Sequence, residues 1–157
     1  MATNRRGRGI PGWMAAMFTA GLLLAGAAVH AQTDSALPPV QKSGAVEYLS
    51  GGIGLDESTA IQSASQHWPL SLVFSVQAAG KADFASDVKL EIRDAKGMPV
   101  LETTASGPFL LAKLPPGSYS LRATLAGKTL ERKVQIKAGS AARVELVWPA
   151  GTNQGQS

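Results

Sequence analysis

Apolar and polar residues alternate along residues 88–147, one short segment after another. Side chains of a β-strand point alternately to opposite faces, so this period of two arises when one face is buried and the other meets water. The alternation breaks at residues 114–119, where LPPGSY places a Pro-Pro-Gly turn between two segments. The pattern predicts a mainly β fold of antiparallel strands.

Residues 1–31 have the features of a secretory signal peptide of the general Sec type. Three arginines precede an apolar run at residues 13–29, and small residues lead up to Ala31. A membrane anchor is the alternative, but the run is close to the lower length limit of a spanning helix and only weakly apolar. We predict cleavage between Ala31 and Gln32, no membrane insertion afterwards, and a periplasmic or secreted protein.

Removal of the signal peptide changes the charge balance. The chain has 15 basic and 11 acidic residues, and three of the basic ones and none of the acidic ones lie in residues 1–31. The mature chain is therefore nearly neutral, and its lysines are interleaved with acids. Nucleic-acid binding needs a clustered basic face, so we expect no nucleic-acid partner.

The chain contains no cysteine. Disulfides, lipid attachment through a cysteine and cysteine-based zinc sites are therefore excluded. We expect the exported domain to be held together by its apolar core alone.

Composition divides the mature chain into four parts. Residues 32–47 are polar with a Pro-Pro pair, which predicts a flexible linker. Residues 48–69 hold a glycine-rich segment followed by a helix, and residues 70–148 form the β domain. Residues 149–157 are rich in Gly, Asn and Gln, which predicts a disordered tail.

One short α-helix is predicted at residues 56–67. Asp56 is the predicted N-cap, Glu57 lies in the first turn, where an acid opposes the helix dipole, and Pro69 ends the helix. We expect the helix to pack over an edge or end of the sandwich and to bury Ile61, Ala64 and Trp68 against the sheet. The predicted apolar stripe comprises Leu55, Ala60, Ile61, Ala64 and Trp68.

About seven strands follow at regular spacing, which is the pattern of a β-sandwich. Pro99 cannot donate to a strand ladder, so its strand is predicted at a sheet edge. The predicted strands occupy residues 70–77, 88–93, 98–104, 109–112, 119–125, 132–138 and 143–148.

About 60 residues of this β block carry a recognisable pattern. The matching features are, in chain order, a strand ending in Asp94-x-x-Gly97, Gly107 before the Phe109 strand, Leu114-Pro115-Pro116-Gly117-x-Tyr119, and a hairpin at Gly127. In these features the chain resembles a carboxypeptidase regulatory-like domain, a prealbumin-like (transthyretin-like) antiparallel β-sandwich. Residues 48–58, YLSGGIGLDES, also resemble a segment of small exported proteins of Gram-negative bacteria that carry this sandwich. The resemblance implies a fold and a non-enzymatic role.

Catalytic and metal-binding patterns are weak. His67 is the single histidine of the mature chain, and its place at the end of the predicted helix favours a dipole interaction over catalysis. No nucleophile elbow accompanies it. Asp83, Asp87 and Asp94 fit no calcium loop and are interpreted as turn acids. We expect no enzymatic activity, no cofactor and no metal.

The glycine-rich segment is the candidate partner site. A phosphate-binding loop is disfavoured because neither a Walker nor a dinucleotide motif is present and two acids follow the glycines. A flexible lead-in to the helix remains the simpler interpretation. The hypothesis is a non-catalytic binding or scaffolding module that contacts an envelope protein, with Tyr48 as anchor and acids at the rim, through Tyr48, Gly51, Gly52, Gly54, Asp56 and Glu57.

A module that binds carbohydrate or cell-wall glycan is the alternative. Sugar platforms need exposed aromatic rings, and Trp68 and Trp148 lie in register with apolar neighbours that predict burial. Tyr48 and Phe84 are the aromatic candidates in predicted loops.

Overall fold

The computed structural model describes residues 36–152. The predicted signal peptide at residues 1–31 and residues 153–157 of the predicted tail lie outside the described residues. The described part of the chain contains ten strands, one α-helix and a short 3₁₀ turn. Their bounds are β1 Gln41–Ser43, β2 Val46–Gly51, α1 Leu55–Ala64, the 3₁₀ turn Ser65–His67, β3 Leu70–Ala78, β4 Lys81–Phe84, β5 Val88–Arg93, β6 Pro99–Ala105, β7 Phe109–Ala112, β8 Gly117–Leu125, β9 Lys128–Ile136 and β10 Ala142–Trp148.

The strands form two sheets. Six belong to the first sheet, in the order β1-β2-β7-β3-β10 with β4 also paired to β3, and four belong to the second, in the order β6-β5-β8-β9. The prediction of a mainly β fold is confirmed, whereas the number of strands was underestimated. The expectation of a wholly antiparallel fold is wrong at one pair, because β10 runs parallel to β3 from Ala142 to Trp148.

A large apolar core lies between the two sheets. The first sheet contributes Leu72, Phe74 and Trp148, and the second contributes Ile92 and Leu121, all of them almost fully buried. These residues alternate with exposed ones along β5, β8 and β10, as the period of two predicts. Burial of this apolar surface is the main stabilising contribution to the fold.

A second apolar cluster lies on the other face of the six-stranded sheet, beneath helix α1. Ile61 is the buried residue of the helix, and the partly buried Ala64 also packs there. Trp68, just after the helical segment, completes the contact with the sheet. The three residues expected to contact the sheet do so, but the helix covers the face of the six-stranded sheet and not an edge or end. The buried members of this cluster are Leu49, Ile61, Trp68, Val73, Phe109 and Leu111.

Three local predictions need correction. The helix begins at Leu55 with Gly54 as its N-cap, so Asp56 is a first-turn residue and not the cap. The range 32–47, predicted as a linker, contains β1 and the start of β2. Thr152, in the predicted tail, is buried and its Oγ1 donates a hydrogen bond to the carbonyl oxygen of Pro149 at 2.6 Å.

Two local predictions, a turn and an edge strand, are confirmed. Asp94 Oδ1 accepts hydrogen bonds from the backbone N–H groups of Lys96 and Met98 at 2.9 and 3.0 Å, and Gly97 has a φ of 79°. Pro99 begins β6, which lies at the edge of the four-stranded sheet.

No helix in the described part of the chain is long and apolar enough to span a membrane.

Candidate functional site

Tyr48, the predicted anchor for a partner, belongs to the core between the sheets. It lies in the middle of β2 with only 7% of its surface exposed. Its hydroxyl donates to Gln41 Oε1 at 3.2 Å and accepts from Thr103 Oγ1 at 3.1 Å. The side chain therefore holds β2 to the neighbouring strands, and it cannot be an exposed contact residue.

Two of the glycines are required by packing. A Cβ atom at Gly51 would overlap the carboxylate of Glu57 and lie 2.7 Å from Pro38 Cγ. A Cβ at Gly52 would overlap the ring of Phe109, and the φ of Gly52 is 99°, a conformation that side chains disfavour. Because these two positions lack a side chain, the chain can turn from β2 towards α1 while staying in contact with Glu57 and Phe109.

Glu57 serves this same turn. Its Oε1 accepts a hydrogen bond of 2.8 Å from the backbone N–H of Gly52, which closes the turn between β2 and α1. A first-turn acid of a helix is also favoured by the helix dipole. Glu57 is half-buried and already engaged within the protein, whereas Asp56 and Gly54 are exposed.

The surface left open around this turn is apolar. Ile53 and Leu55, which flank Gly54, are 67% and 80% exposed, and Phe84 at the end of β4 is 61% exposed. We call Ile53, Leu55 and Phe84 the apolar rim. Single exposed apolar residues are common, but a group of large ones indicates a contact surface.

Phe109 links Phe84 to the turn that carries Ile53 and Leu55. Its ring centroid lies 5.4 Å from that of Phe84, in a tilted arrangement, and its ring atoms also occupy the space that a side chain at Gly52 would need. Ile53 follows Gly52 directly in the chain, and Leu55 comes two residues later. Phe109 itself is buried in the cluster beneath α1.

The sequence offered only partial signals for the apolar rim. Leu55 was expected in the buried stripe of the helix, yet the helix turns it to solvent because the contact with the sheet is made at Ile61. Phe84 was named as an exposed aromatic candidate, and its exposure agrees with that expectation. Ile53 was overlooked, although an isoleucine between two glycines has few neighbours to cover it.

One acidic side chain adjoins the apolar rim. Asp56 is exposed and follows Leu55 directly. Asp83 precedes Phe84, but it pairs with Val76 of the core between the sheets, so its side chain lies on the opposite face of the sheet from Phe84. There it forms a 3.6 Å ion pair with Lys81. Asp56 is therefore the acid that can receive a basic group from a partner.

The remaining chemistry-bearing residues do not converge on one place. His67 is exposed at the end of the 3₁₀ turn, on a groove of about 260 Å³ that Trp68, Pro69 and Ile136 also line. Among residues 36–152, no three His, Cys, Asp or Glu side chains are grouped so that they could hold a metal ion. Every buried side-chain nitrogen or oxygen atom in that range has a hydrogen-bond partner.

The outer face of the four-stranded sheet carries paired charges. Arg122 donates two hydrogen bonds to Glu131 Oε1, at 3.0 and 2.8 Å, and Arg93 pairs with Glu91. The pairing raises the pKa of Arg93 through its hydrogen bond and charge interaction with Glu91. A groove of about 390 Å³ lies between these pairs, and Arg132 and Lys133, which also line it, leave it with an excess of positive charge.

Comparison with known proteins adds no family. No protein-family model matches this chain, and no curated protein matches it. The class that the described residues define is a mainly β protein of two sheets with one helix over the outer face of the larger sheet.

Proposed function

We propose that this protein is a non-catalytic binding module that docks an envelope protein on the apolar rim. The single observation that carries the proposal is the exposure of three large apolar side chains, Phe84 against the buried ring of Phe109 and Ile53 and Leu55 in the turn that packs on the same ring at Gly52. Burying such side chains in an interface contributes far more to binding than burying the paired charges of the opposite sheet.

The partner surface should combine an apolar segment with a basic side chain. Asp56 is exposed next to Leu55, so a lysine or arginine beside the apolar segment would meet an acid there. The role of the glycine-rich segment changes accordingly. Gly51, Gly52 and Glu57 shape the turn, while Ile53 and Leu55 in that turn supply the contact.

The two-sheet layout supports a finer assignment, that of a prealbumin-like β-sandwich of the carboxypeptidase regulatory-like kind. The motif LPPGSY supports it in a physical way: Tyr119 is buried, and its hydroxyl donates to the carbonyl oxygen of Pro115 at 2.7 Å. That hydrogen bond fixes the turn that leads into β8. Export, and with it the envelope as the location of the partner, is inferred from residues 1–31 of the sequence.

Site-specific photocrosslinking tests the proposal. A photoreactive residue is placed at Phe84 or, as a matched control, at Met98, which is equally exposed at 61% but lies in the turn before β6. The full-length sequence is expressed in its native cells, and crosslinked proteins are identified by mass spectrometry. We expect one envelope protein crosslinked from position 84 and not from position 98.

Binding of the purified pair then tests the surface itself. Leu55→Ser and Phe84→Ser should each weaken the complex by about tenfold or more, because each removes a large apolar contact, whereas Met98→Ser should leave it unchanged. Equal loss with Met98→Ser would contradict the proposed surface. Recovery of cell-wall glycan alone would contradict the protein partner and favour the glycan-binding alternative.

A further inference from the structure

Edge strands carry backbone groups that can pair with another chain, and proteins usually protect them. In the described residues, β1 and β4 are short edges of three and four residues. β6 begins with Pro99 and has an irregular register next to Arg93. β9 is long, but its three bases, Lys128, Arg132 and Lys133, outnumber its one acid, Glu131, so two copies of it would repel on balance. β10 has none of these protections.

The outward backbone groups of β10 follow from its pairing with β3. The N–H of Ala142 donates to the carbonyl oxygen of Pro69 at 2.9 Å, so Ala142 and every second residue after it face β3. The N–H and C=O groups of Arg143, Glu145 and Val147 therefore point away from β3, in the plane of the sheet and out of its free edge. Within residues 36–152, β3 is the single strand paired with β10.

The sequence of β10 is complementary to itself when it is reversed. If two copies pair in antiparallel fashion about Val144, Arg143 of each copy lies opposite Glu145 of the other, on the outer face of the sheet. The outward groups of these residues then form hydrogen-bonded pairs, each exchanging two backbone hydrogen bonds. On the inner face, Val144 meets its own counterpart and Ala142 meets Leu146, so apolar residues meet apolar residues.

Arg143 and Glu145 are free to make these contacts. Both side chains are more than half exposed, and the 3.3 Å ion pair between them within one strand is a surface pair of little strength. Opposite charges directly across two strands are favourable, whereas like charges there are unfavourable. We infer that β10 is the interface between two copies of this chain, which pair edge to edge about Val144 and join their six-stranded sheets into one.

This interface goes beyond the proposed function and does not depend on it. The partner is a second copy because the charge pattern of β10 matches its own reverse, a property that an interface with a two-fold axis requires. The basic β9 strands lie near β10 in the other sheet, where the Trp148 indole N–H donates to the carbonyl oxygen of Lys128 at 2.8 Å. Their like charges limit the affinity, so we expect a reversible dimer.

Charge reversal tests the register. The protein is produced from the full 157-residue sequence, and its mass is followed by sedimentation equilibrium over a range of concentrations. Arg143→Glu and Glu145→Arg, each alone, place like charges at two symmetry-related pairs and should weaken the dimer about 30-fold. The double variant, with both residues exchanged, should restore it, since opposite charges face each other again.

Three results would each overturn the inference. The wild-type protein stays monomeric, the single variants dimerise like the wild type, or the double variant fails to recover dimerisation. Circular dichroism of the single variants serves as the control for folding, because all substitutions lie on exposed positions of an outer strand.

A cysteine at the two-fold axis gives an independent test. The chain has no cysteine, so a disulfide can form only at an introduced position. Two copies of Val144 would form a pair without backbone hydrogen bonds, with Cα atoms about 4.5 Å apart, which suits a disulfide. Val144→Cys should crosslink rapidly under a mild oxidant, whereas Val134→Cys, also half-buried on an edge strand, should not. Equal crosslinking of both variants would overturn the inference.

Discussion

Replacement of Ile61 by alanine should release the helix from the sheet. Ile61 is fully buried, and its side chain packs in the cluster of Leu49, Val73 and Phe109. The substitution removes three carbon groups, which corresponds to about 2.4 kcal/mol of lost apolar transfer energy. Alanine regains about 0.4 kcal/mol through its higher helix propensity. The cavity left against the sheet adds a further cost, so we expect about 3 kcal/mol of destabilisation.

The matched control lies on the same helix. Leu55→Ala also shortens a large aliphatic residue, but Leu55 is 80% exposed, so its free energy of unfolding should change by less than about 0.5 kcal/mol. Ile61→Val removes one carbon group and should cost about 1 kcal/mol. The three variants therefore separate burial from helix propensity.

Urea unfolding, followed by tryptophan fluorescence and circular dichroism, measures these differences in the free energy of unfolding. In thermal unfolding, for a domain of this size, we expect the melting temperature of Ile61→Ala to fall by about 12 °C. A loss below about 1 kcal/mol, or equal losses for Ile61→Ala and Leu55→Ala, would refute the argument that this one side chain holds the helix on the sheet. The orientation of the apolar rim would then need another explanation.

Three further predictions concern the turns. Gly52→Ala should cost about 2–3 kcal/mol, because a Cβ there is strained at a φ of 99° and meets Phe109. Gly54→Ala has open space around the new Cβ and should cost less. Thermal unfolding compares the two variants, and equal losses of stability would argue against the clash. Glu57→Gln should lower the free energy of unfolding by about 1 kcal/mol, because it weakens the charged hydrogen bond to the N–H of Gly52. Urea unfolding measures this loss, and an unchanged free energy of unfolding would mean that the bond contributes nothing. Tyr119→Phe should cost about 1–2 kcal/mol at neutral pH through its lost hydrogen bond. Burial, and to a lesser degree the charge of Asp94, raises the pKa of Tyr119 above 10, so this tyrosine contributes its full stability below pH 10 and loses it as the pH rises through the raised pKa. The difference between wild type and variant should therefore shrink in alkaline solution, and a gap that stays constant with pH would contradict this assignment.

The β block could be predicted because its strands are buried on one face only. Val88, Leu90 and Ile92 alternate with exposed or half-exposed residues, and that alternation states which face is inside. Pro99 likewise identified an edge. These patterns are local, so they predict strands and faces without the rest of the molecule.

The larger sheet was harder to predict because its central strands are covered on both faces. β2 and β7 are buried along nearly their whole length, with the other sheet on one side and α1 on the other. Such strands show no alternation, so the sequence of β2 resembled a glycine-rich loop, and Tyr48 was placed at the surface. The parallel pairing of β3 with β10 could not be predicted from the sequence either, since alternation along a strand does not indicate the direction of the neighbouring strand.

The two proposed surfaces belong to the same sheet, and their combination has a geometric consequence. An antiparallel pairing of β10 with its copy has its two-fold axis perpendicular to the sheet, so the outer faces of both copies point in one direction. Phe84 lies on that outer face, since Phe84 and Val147 both pair with Ser75 of β3. The dimer would thus present two apolar rims to the same side. A partner anchored in a membrane or wall layer could engage both, and two weak contacts on a common face give an avidity that neither has alone.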